Sequence, residues 1–219
     1  MLIGQLYDAV FPIPPIHDDH WHHVCTTWNS TNGHVNIFVD GALRTYPGKS
    51  YFKGVKVIPN GTFTIGYHRI DESEFGYSGK ISQLNVWNHV LPSNKIQAIA
   101  KNCTMDHSTG GNVLKWGLSF APTEQDTAEP RACSQRDQME SDYDLNFPGQ
   151  GTKPYASLML KQSLTKCTIS WWLKTTWIPT TDTPVITILS AYHSTERDTL
   201  FVGIRSTSTI HFEQSGGEK

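Results

Sequence analysis

Trp21-His22-His23-Val24-Cys25-Thr26-Thr27-Trp28-Asn29-Ser30 is the stretch from which the fold can be read. Its β-branched and aromatic residues recur at every second position, the period of a strand and not of a helix. Val24, Thr26 and Trp28 therefore point to one face, and His23, Cys25 and Thr27 to the other. The alternation continues through residue 67. Val35, Ile37 and Val39 alternate with Asn36 and Phe38, and Asp40-Gly41 ends that run with a hairpin-type turn signal. Asn60-Gly61 is read as a second such turn, leading into a strand over 62–67. Residues 79–87 form a further strand with large apolar groups on both faces near its end, the pattern of a strand near the centre of a sandwich.

A single short helix is expected over 92–100. Pro92 is tolerated in the first turn, and Ile96, Ile99 and Ala100 share one face. Residues 121–141 are polar, contain proline and have no period, and read as a linker. Strand patterns then restart at 143–149, 164–174, 185–189 and 199–204. This divides the chain into a first part (1–120), a linker (121–141) and a second part (142–219).

Composition bounds the function. The chain has 219 residues, 37% apolar and 17% charged, the balance of a globular protein. A net charge of -2 gives no case for nucleic acid or an anionic membrane surface. No apolar run approaches the ~20 residues needed to span a bilayer, so direct membrane insertion is not expected. The first residues lack the basic leader and apolar core of a signal peptide. Cys25, Cys103, Cys133 and Cys167 are even in number and form no C-x-x-C pair, which argues against a zinc knuckle or thioredoxin-type site. Sequons begin at Asn29, Asn60 and Asn102. Paired cysteines and sequons together favour an extracellular setting, secreted or in the ectodomain of a membrane protein, and hence a piece of a longer chain.

The run from His23 to Ser30 fits the signature of pentraxins, with His23, Cys25, Thr27, Trp28 and Ser30 at the fixed positions. Residues 21–116 resemble the C-terminal two-thirds of a pentraxin domain. Ile37-Phe38-Val39-Asp40-Gly41, Phe63-Thr64-Ile65-Gly66, Gly79-Lys80-Ile81 and Asn85-Val86-Trp87 carry the likeness further. Cys103, Gly111-Asn112-Val113-Leu114-Lys115-Trp116 and Cys133 are similar to the tail of neuronal pentraxins. Residues 143–204 resemble the N-terminal third of a pentraxin or laminin-G-like domain, including Thr168-Ile169-Ser170-Trp171. The resemblance implies an all-β, concanavalin-like jelly-roll sandwich of antiparallel sheets. It also implies a recognition or adhesion module for carbohydrate, phosphorylated head groups or protein ligands.

The order of the two portions is swapped relative to the family. Either the chain is a slice across two tandem domains, or its portions assemble into one circularly permuted sandwich. Half a sandwich exposes an apolar sheet face and open strand edges, so we expect tandem origin and self-pairing of this chain. The resemblance further implies a disulfide between the signature Cys25 and an early-strand cysteine, for which Cys167 is the match. Cys103 and Cys133 are expected to form a second bridge.

Pentraxins hold calcium with side chains of two loops. The nearest matches are Asp198, in Thr195-Glu196-Arg197-Asp198, and Asp71, Glu72 and Glu74 after Ile65-Gly66. Arg197, His68 and Arg69 stand where the resemblance calls for further ligands, while calcium takes six to eight oxygens. His20 and His22 share a strand face at a spacing zinc can use, but no third ligand can be assigned. Trp28, Trp87, Trp116, Trp171 and Trp172 are expected in the core, with adjacent Trp171 and Trp172 facing opposite sides. No G-x-S-x-G elbow, P-loop, H-E-x-x-H or Rossmann fingerprint occurs. The alternating acidic pair of a glucanase strand is absent too, so an enzyme is not expected. A spacer domain with decayed ligand loops is the alternative.

Overall fold

The structure is a computed structural model that describes residues 6–44, 50–66, 77–102, 110–116, 144–148, 156–177, 186–192, 200–206 and 209–215. Strands β1 (Leu6–Pro12), β2 (His22–Asn29), β3 (His34–Val39), β4 (Ala42–Leu43), β5 (Thr62–Ile65) and β6 (Ser78–Trp87) precede helix α1 (Ser93–Asn102). Strands β7 (Asp144–Pro148), β8 (Ala156–Met159), β9 (Lys166–Lys174), β10 (Ile186–Tyr192), β11 (Leu200–Ser206) and β12 (Thr209–Ser215) follow it. They form two six-stranded antiparallel sheets. One has the order β1-β12-β11-β10-β5-β8 and the other β4-β3-β2-β9-β6-β7. This is the expected all-β sandwich with a short helix.

Strands from before and after residues 121–141 are mixed within both sheets. β9 lies between β2 and β6 and hydrogen-bonds both, β5 lies between β10 and β8, and β1 pairs with β12. Residues 121–141 themselves lie outside the described residues. β1, β8 and β12 were not anticipated from the sequence. Pro12, Pro14 and Pro15 interrupt the first segment, and β8 offers only four residues of pattern.

The parity read from the signature strand holds. Val24 and Trp28 face inward and are buried with Ile37, Ile81, Ile169, Trp171, Phe63, Val202 and Phe212 in the space between the sheets. Cys25 faces outward and packs with Phe38 beneath Ile96 of α1, which covers this part of the second sheet. A two-sided strand like this reads as apolar on both faces because each face has its own cover.

Turn chemistry is met in one place and altered in another. Asp40 and Gly41 both take positive φ (51° and 77°), as a two-residue hairpin turn between β3 and β4 requires. Asn60 alone is left-handed (φ 65°), and the Asn60-Gly61 pair makes no hairpin. Instead Asn60 N–H donates to Leu160 O and Leu160 N–H to Gly61 O, tying the start of β5 to the end of β8. In β6, a bulge between Ser82 and Asn85 puts Gln83 at φ 53°. Asn85 turns this irregularity into an anchor: its Oδ1 accepts from Gly111 N–H (3.0 Å) and Trp116 N–H (3.2 Å). Together with the backbone pairing of Val86 and Leu114, that fixes segment 110–116 along the edge of β6.

Candidate functional site

The disulfide implied for Cys25 and Cys167 is not formed; both cysteines are free and buried. The cause is register. Across β2–β9, Cys25 is paired with Ser170 and Cys167 with Trp28. The two cysteines are thus offset by three positions, an odd number, which places them on opposite faces of the sheet. Cys25 lies under α1 and Cys167 lies between the sheets. Burial pushes the Cys167 thiol up to about 12, and burial with the neighbouring Cys167 drives Cys25 higher still. Neither is a thiolate nucleophile near neutral pH. Cys103 and Cys133 lie outside the described residues.

The signature side chains hold the fold together. His23 is fully buried on the outer face, with Nε2 hydrogen-bonded to Ser170 Oγ at 2.8 Å and its ring 5.3 Å from that of Trp172. Burial lowers its pKa to about 4, so it is neutral at physiological pH. Thr27 Oγ1 accepts from Asn36 Nδ2 at 3.3 Å. Ser30 N–H donates to Thr165 O, and Ser30 O accepts from Gly54 N–H. Trp28, Trp87, Trp116 and Trp171 are buried, while Trp172 is half-buried on the outer face, so the adjacent tryptophans do part to opposite sides.

The histidine-rich segment before the signature forms an ionic bracket that the sequence did not reveal. His22 donates Nδ1–H to Asp40 Oδ2 (2.9 Å) and Nε2–H to Asp18 Oδ1 (3.0 Å). The hydrogen bond to Asp40 is the main reason the His22 pKa is raised, with Asp18 adding to it against the effect of burial. Burial would raise the carboxyl of Asp40, but its bonds to His22 and to His23 N–H hold it below the usual range. His20 Nδ1 is turned to Asp18 O instead, at 2.9 Å. With both His22 ring nitrogens occupied, His20 and His22 do not form a zinc pair. Among the described residues no group of three His, Cys, Asp or Glu side chains is arranged to hold a metal. The only hint in sequence was Asp40 in its turn, and its approach to His22 depends on the β2–β3 register, in which Val24 pairs with Val39.

The four carboxylates expected to hold calcium, Asp71, Glu72, Glu74 and Asp198, lie outside the described residues. Their anchors do not. The segment with the first three follows β5, and the segment with Asp198 follows β10, its neighbour in the first sheet. Ile65 pairs with Leu189 and Thr62 with Tyr192, so the two segments leave the ladder at opposite ends. Of the sequon asparagines, Asn60 is exposed on its turn. Asn29 is half-buried, with Oδ1 accepting from Thr31 N–H at 3.0 Å. The side chain of Asn102 is not described.

Comparison with known proteins bears on the first part of the chain. The family model described as "Pentaxin family" matches residues 8–125. The chain is 35% identical over 109 residues to "Sushi, von Willebrand factor type A, EGF and pentraxin domain-containing protein 1" of Rattus norvegicus, covering 47% of this chain and 3% of that protein. It is 32% identical over 108 residues to "C-reactive protein 1.4" of Limulus polyphemus, covering 46% and 44% respectively. With "Neuronal pentraxin receptor" of Rattus norvegicus it shares 32% identity over 116 residues, covering 50% and 22%. The chain thus spans less than half the length of these curated relatives. No solved structure matches it significantly. The matched region takes in β2 with its buried signature residues, β3, β5, β6 and α1, and extends over more than half of the sequence: the chain belongs to the pentaxin family.

Proposed function

We propose that this chain is an extracellular recognition module, not a catalyst. It would bind carbohydrate, phosphorylated head groups or a protein surface with calcium held by Asp71, Glu72 and Glu74 together with Asp198. One observation carries the reading: the two acidic segments are rooted on hydrogen-bonded neighbours, β5 and β10, in the sheet that α1 leaves uncovered. Their roots are three rungs apart, about 10 Å along the strands. A ten-residue segment reaches roughly 35 Å when extended, so residues 67–76 have the length to bring carboxylates back along the ladder. The test is calorimetric titration with calcium, paired with retention on a glycan and head-group array in calcium or EGTA. The expected result is calcium binding and calcium-dependent retention, both abolished by D71N/E72Q. Absence of calcium binding at millimolar concentration, with identical retention in EGTA, would instead favour the spacer reading.

We further propose that 1–120 and 142–219 complement one another in permuted order as one unit. The support is β9, whose two neighbours both come from the first part. Cleavage within 121–141 should leave the parts associated through gel filtration and separable only in denaturant. Two independently eluting fragments would refute this.

A further inference from the structure

The turn before β5 carries the sequon Asn60-Gly61-Thr62 at one margin of the first sheet. Asn60 is exposed there, whereas Asn29 of the first sequon is half-buried and has its backbone paired on both sides, with His34 of β3 and Lys166 of β9. The place of Asn60 is fixed by its two backbone ties. Asn60 N–H donates to Leu160 O at 2.7 Å, and Leu160 N–H donates to Gly61 O at 2.8 Å, so the turn is clamped to the residue that follows β8. Thr62 opens β5 and stands directly opposite Met159 of β8. Phe63 and Ile65 face the core, so Thr62 and Met159 face outward.

Among the described strands β8 is the outermost of this sheet. Natural proteins blunt such edges with short strands, charge, proline, a bulge or a cover, because an open edge pairs with other chains. β8 is short, but Ala156-Ser157-Leu158-Met159 has no charge and no proline, and its register against β5 runs without a bulge. Met159 is 60% exposed, more than any other large hydrophobic side chain among the described residues, and Leu158 is half-buried. The turn explains the asparagine only in part. Asparagine accepts the φ of 65° at this position, but glycine would serve the backbone as well. The turn sets no requirement at position 62, where a hydroxyl stands facing outward beside the bare edge.

We propose that Asn60 carries an N-linked glycan and that this glycan covers the open edge of β8 and Met159. The inference rests on the extracellular setting proposed above. Attachment is a group transfer from an oligosaccharide borne on a polyprenyl pyrophosphate. Asn60 Nδ2 bonds to the anomeric carbon of the sugar, and the bond from that carbon to the pyrophosphate oxygen breaks. The pyrophosphate leaves with the electron pair, and one Nδ2 proton passes to a base of the transferase. Thr62 supplies the hydroxyl residue that the sequon requires. The product is a bulky, solubilising surface chain rooted beside Leu160, where it hinders a second strand from adding to β8.

The test is expression of the full chain behind a cleavable secretion leader in animal cells. Enzymatic glycan removal in heavy-oxygen water followed by peptide mass spectrometry marks a formerly glycosylated asparagine with the heavy isotope. The label is expected at position 60 in most molecules, kept in T62S and lost in T62A and N60G. Neither losing variant disturbs the turn backbone, since glycine accepts the positive φ. On gel filtration at rising concentration the glycosylated chain should stay monomeric. The enzymatically deglycosylated parent, T62A and N60G should all shift to dimers or larger species. Adding M159K to T62A puts a charge on the edge and should restore the monomer. Thermal melts that match the parent show that each variant is folded, and enzymatic removal needs no variant. An unmodified Asn60 in the folded, secreted chain would overturn the site. A glycosylated Asn60 whose removal leaves elution unchanged would overturn the covering role. Chain from its natural source that lacks a glycan found on the leader-directed chain would count against the extracellular reading, while the leader-directed result upholds the site.

Discussion

Replacing Ser170 by cysteine should create the bridge that Cys167 cannot make. Ser170 is directly opposite Cys25 in the β2–β9 ladder, and both face outward beneath the helix side of the sheet. Directly opposed antiparallel residues have Cα atoms about 4.5–5.5 Å apart, within the roughly 4.4–6.8 Å that a disulfide needs. The cross-link would close a loop of about 145 residues, worth about 5 kcal/mol in the chain-entropy model. Against this stands the lost hydrogen bond between Ser170 Oγ and the buried Nε2 of His23, 2.8 Å long. Leaving a buried polar atom unmatched costs about 1–3 kcal/mol. The net gain is about 2–4 kcal/mol.

For a chain of this size each kcal/mol moves the melting temperature by about 2–4 °C, so oxidised S170C should melt about 5–15 °C above the parent. The same variant in reductant should melt slightly below it, since the hydrogen bond is lost without the cross-link. Thermal unfolding with and without TCEP reads both numbers, and non-reducing peptide mapping identifies the linkage. A parent chain that already contains a Cys25–Cys167 peptide would refute the register. So would S170C with two free thiols after oxidation.

Three further outcomes are expected. The protonated His22 between Asp18 and Asp40 has its pKa raised in the folded state, so its stabilisation is complete below the unfolded value near 6.5 and is lost as pH climbs through the folded value. Melting temperatures from pH 5.5 to 9 should therefore fall more steeply for the parent than for H22N, and parallel curves would count against the bracket. G111A should be strongly destabilising in urea titrations, because the added carbon would meet three backbone atoms, Leu114 O at 1.9 Å and Val86 O and N at 2.5 and 2.7 Å, none of which can swing aside. I96A removes the helix residue that covers Cys25 and Phe38 and should cost about 2–4 kcal/mol, with Cys25 alkylated faster than Cys167 in the folded protein.

The strand parity around Cys25 and the Asp40-Gly41 turn were legible because both are local: side-chain alternation and a required positive φ are written in adjacent residues. The split of Val24 and Trp28 from Cys25 onto opposite faces needed no partner. What the sequence could not supply was register. Cys167 is the natural candidate for Cys25 when cysteines are matched along the chain, and only the pairing of Cys25 with Ser170 shows that an odd offset separates the two sulfurs. The Asp18–His22–Asp40 bracket was hidden for the same reason: it depends on which residue of β2 stands beside which residue at the end of β3. Asn60-Gly61 differs in another way: the dipeptide marks a turn and β5 follows it, but the turn is tied to the distant Leu160 and makes no hairpin.

Position 170 connects two signature residues that look independent in the sequence. His23 and Cys25 both point outward from β2, one rung pair apart, and Ser170 on β9 serves both. A serine there gives the buried imidazole its Nε2 partner and leaves Cys25 as a small apolar group packed against Phe38 and Ile96. A cysteine there would satisfy Cys25 covalently and leave the imidazole without that partner, since a thiol in a disulfide donates no hydrogen bond and sulfur is a weak acceptor. His23 stays neutral in either case because burial holds its pKa near 4, so the cost is that of an unmatched neutral group and not of a buried charge. The resemblance to pentraxins calls for the covalent solution and this chain adopts the hydrogen-bonded one.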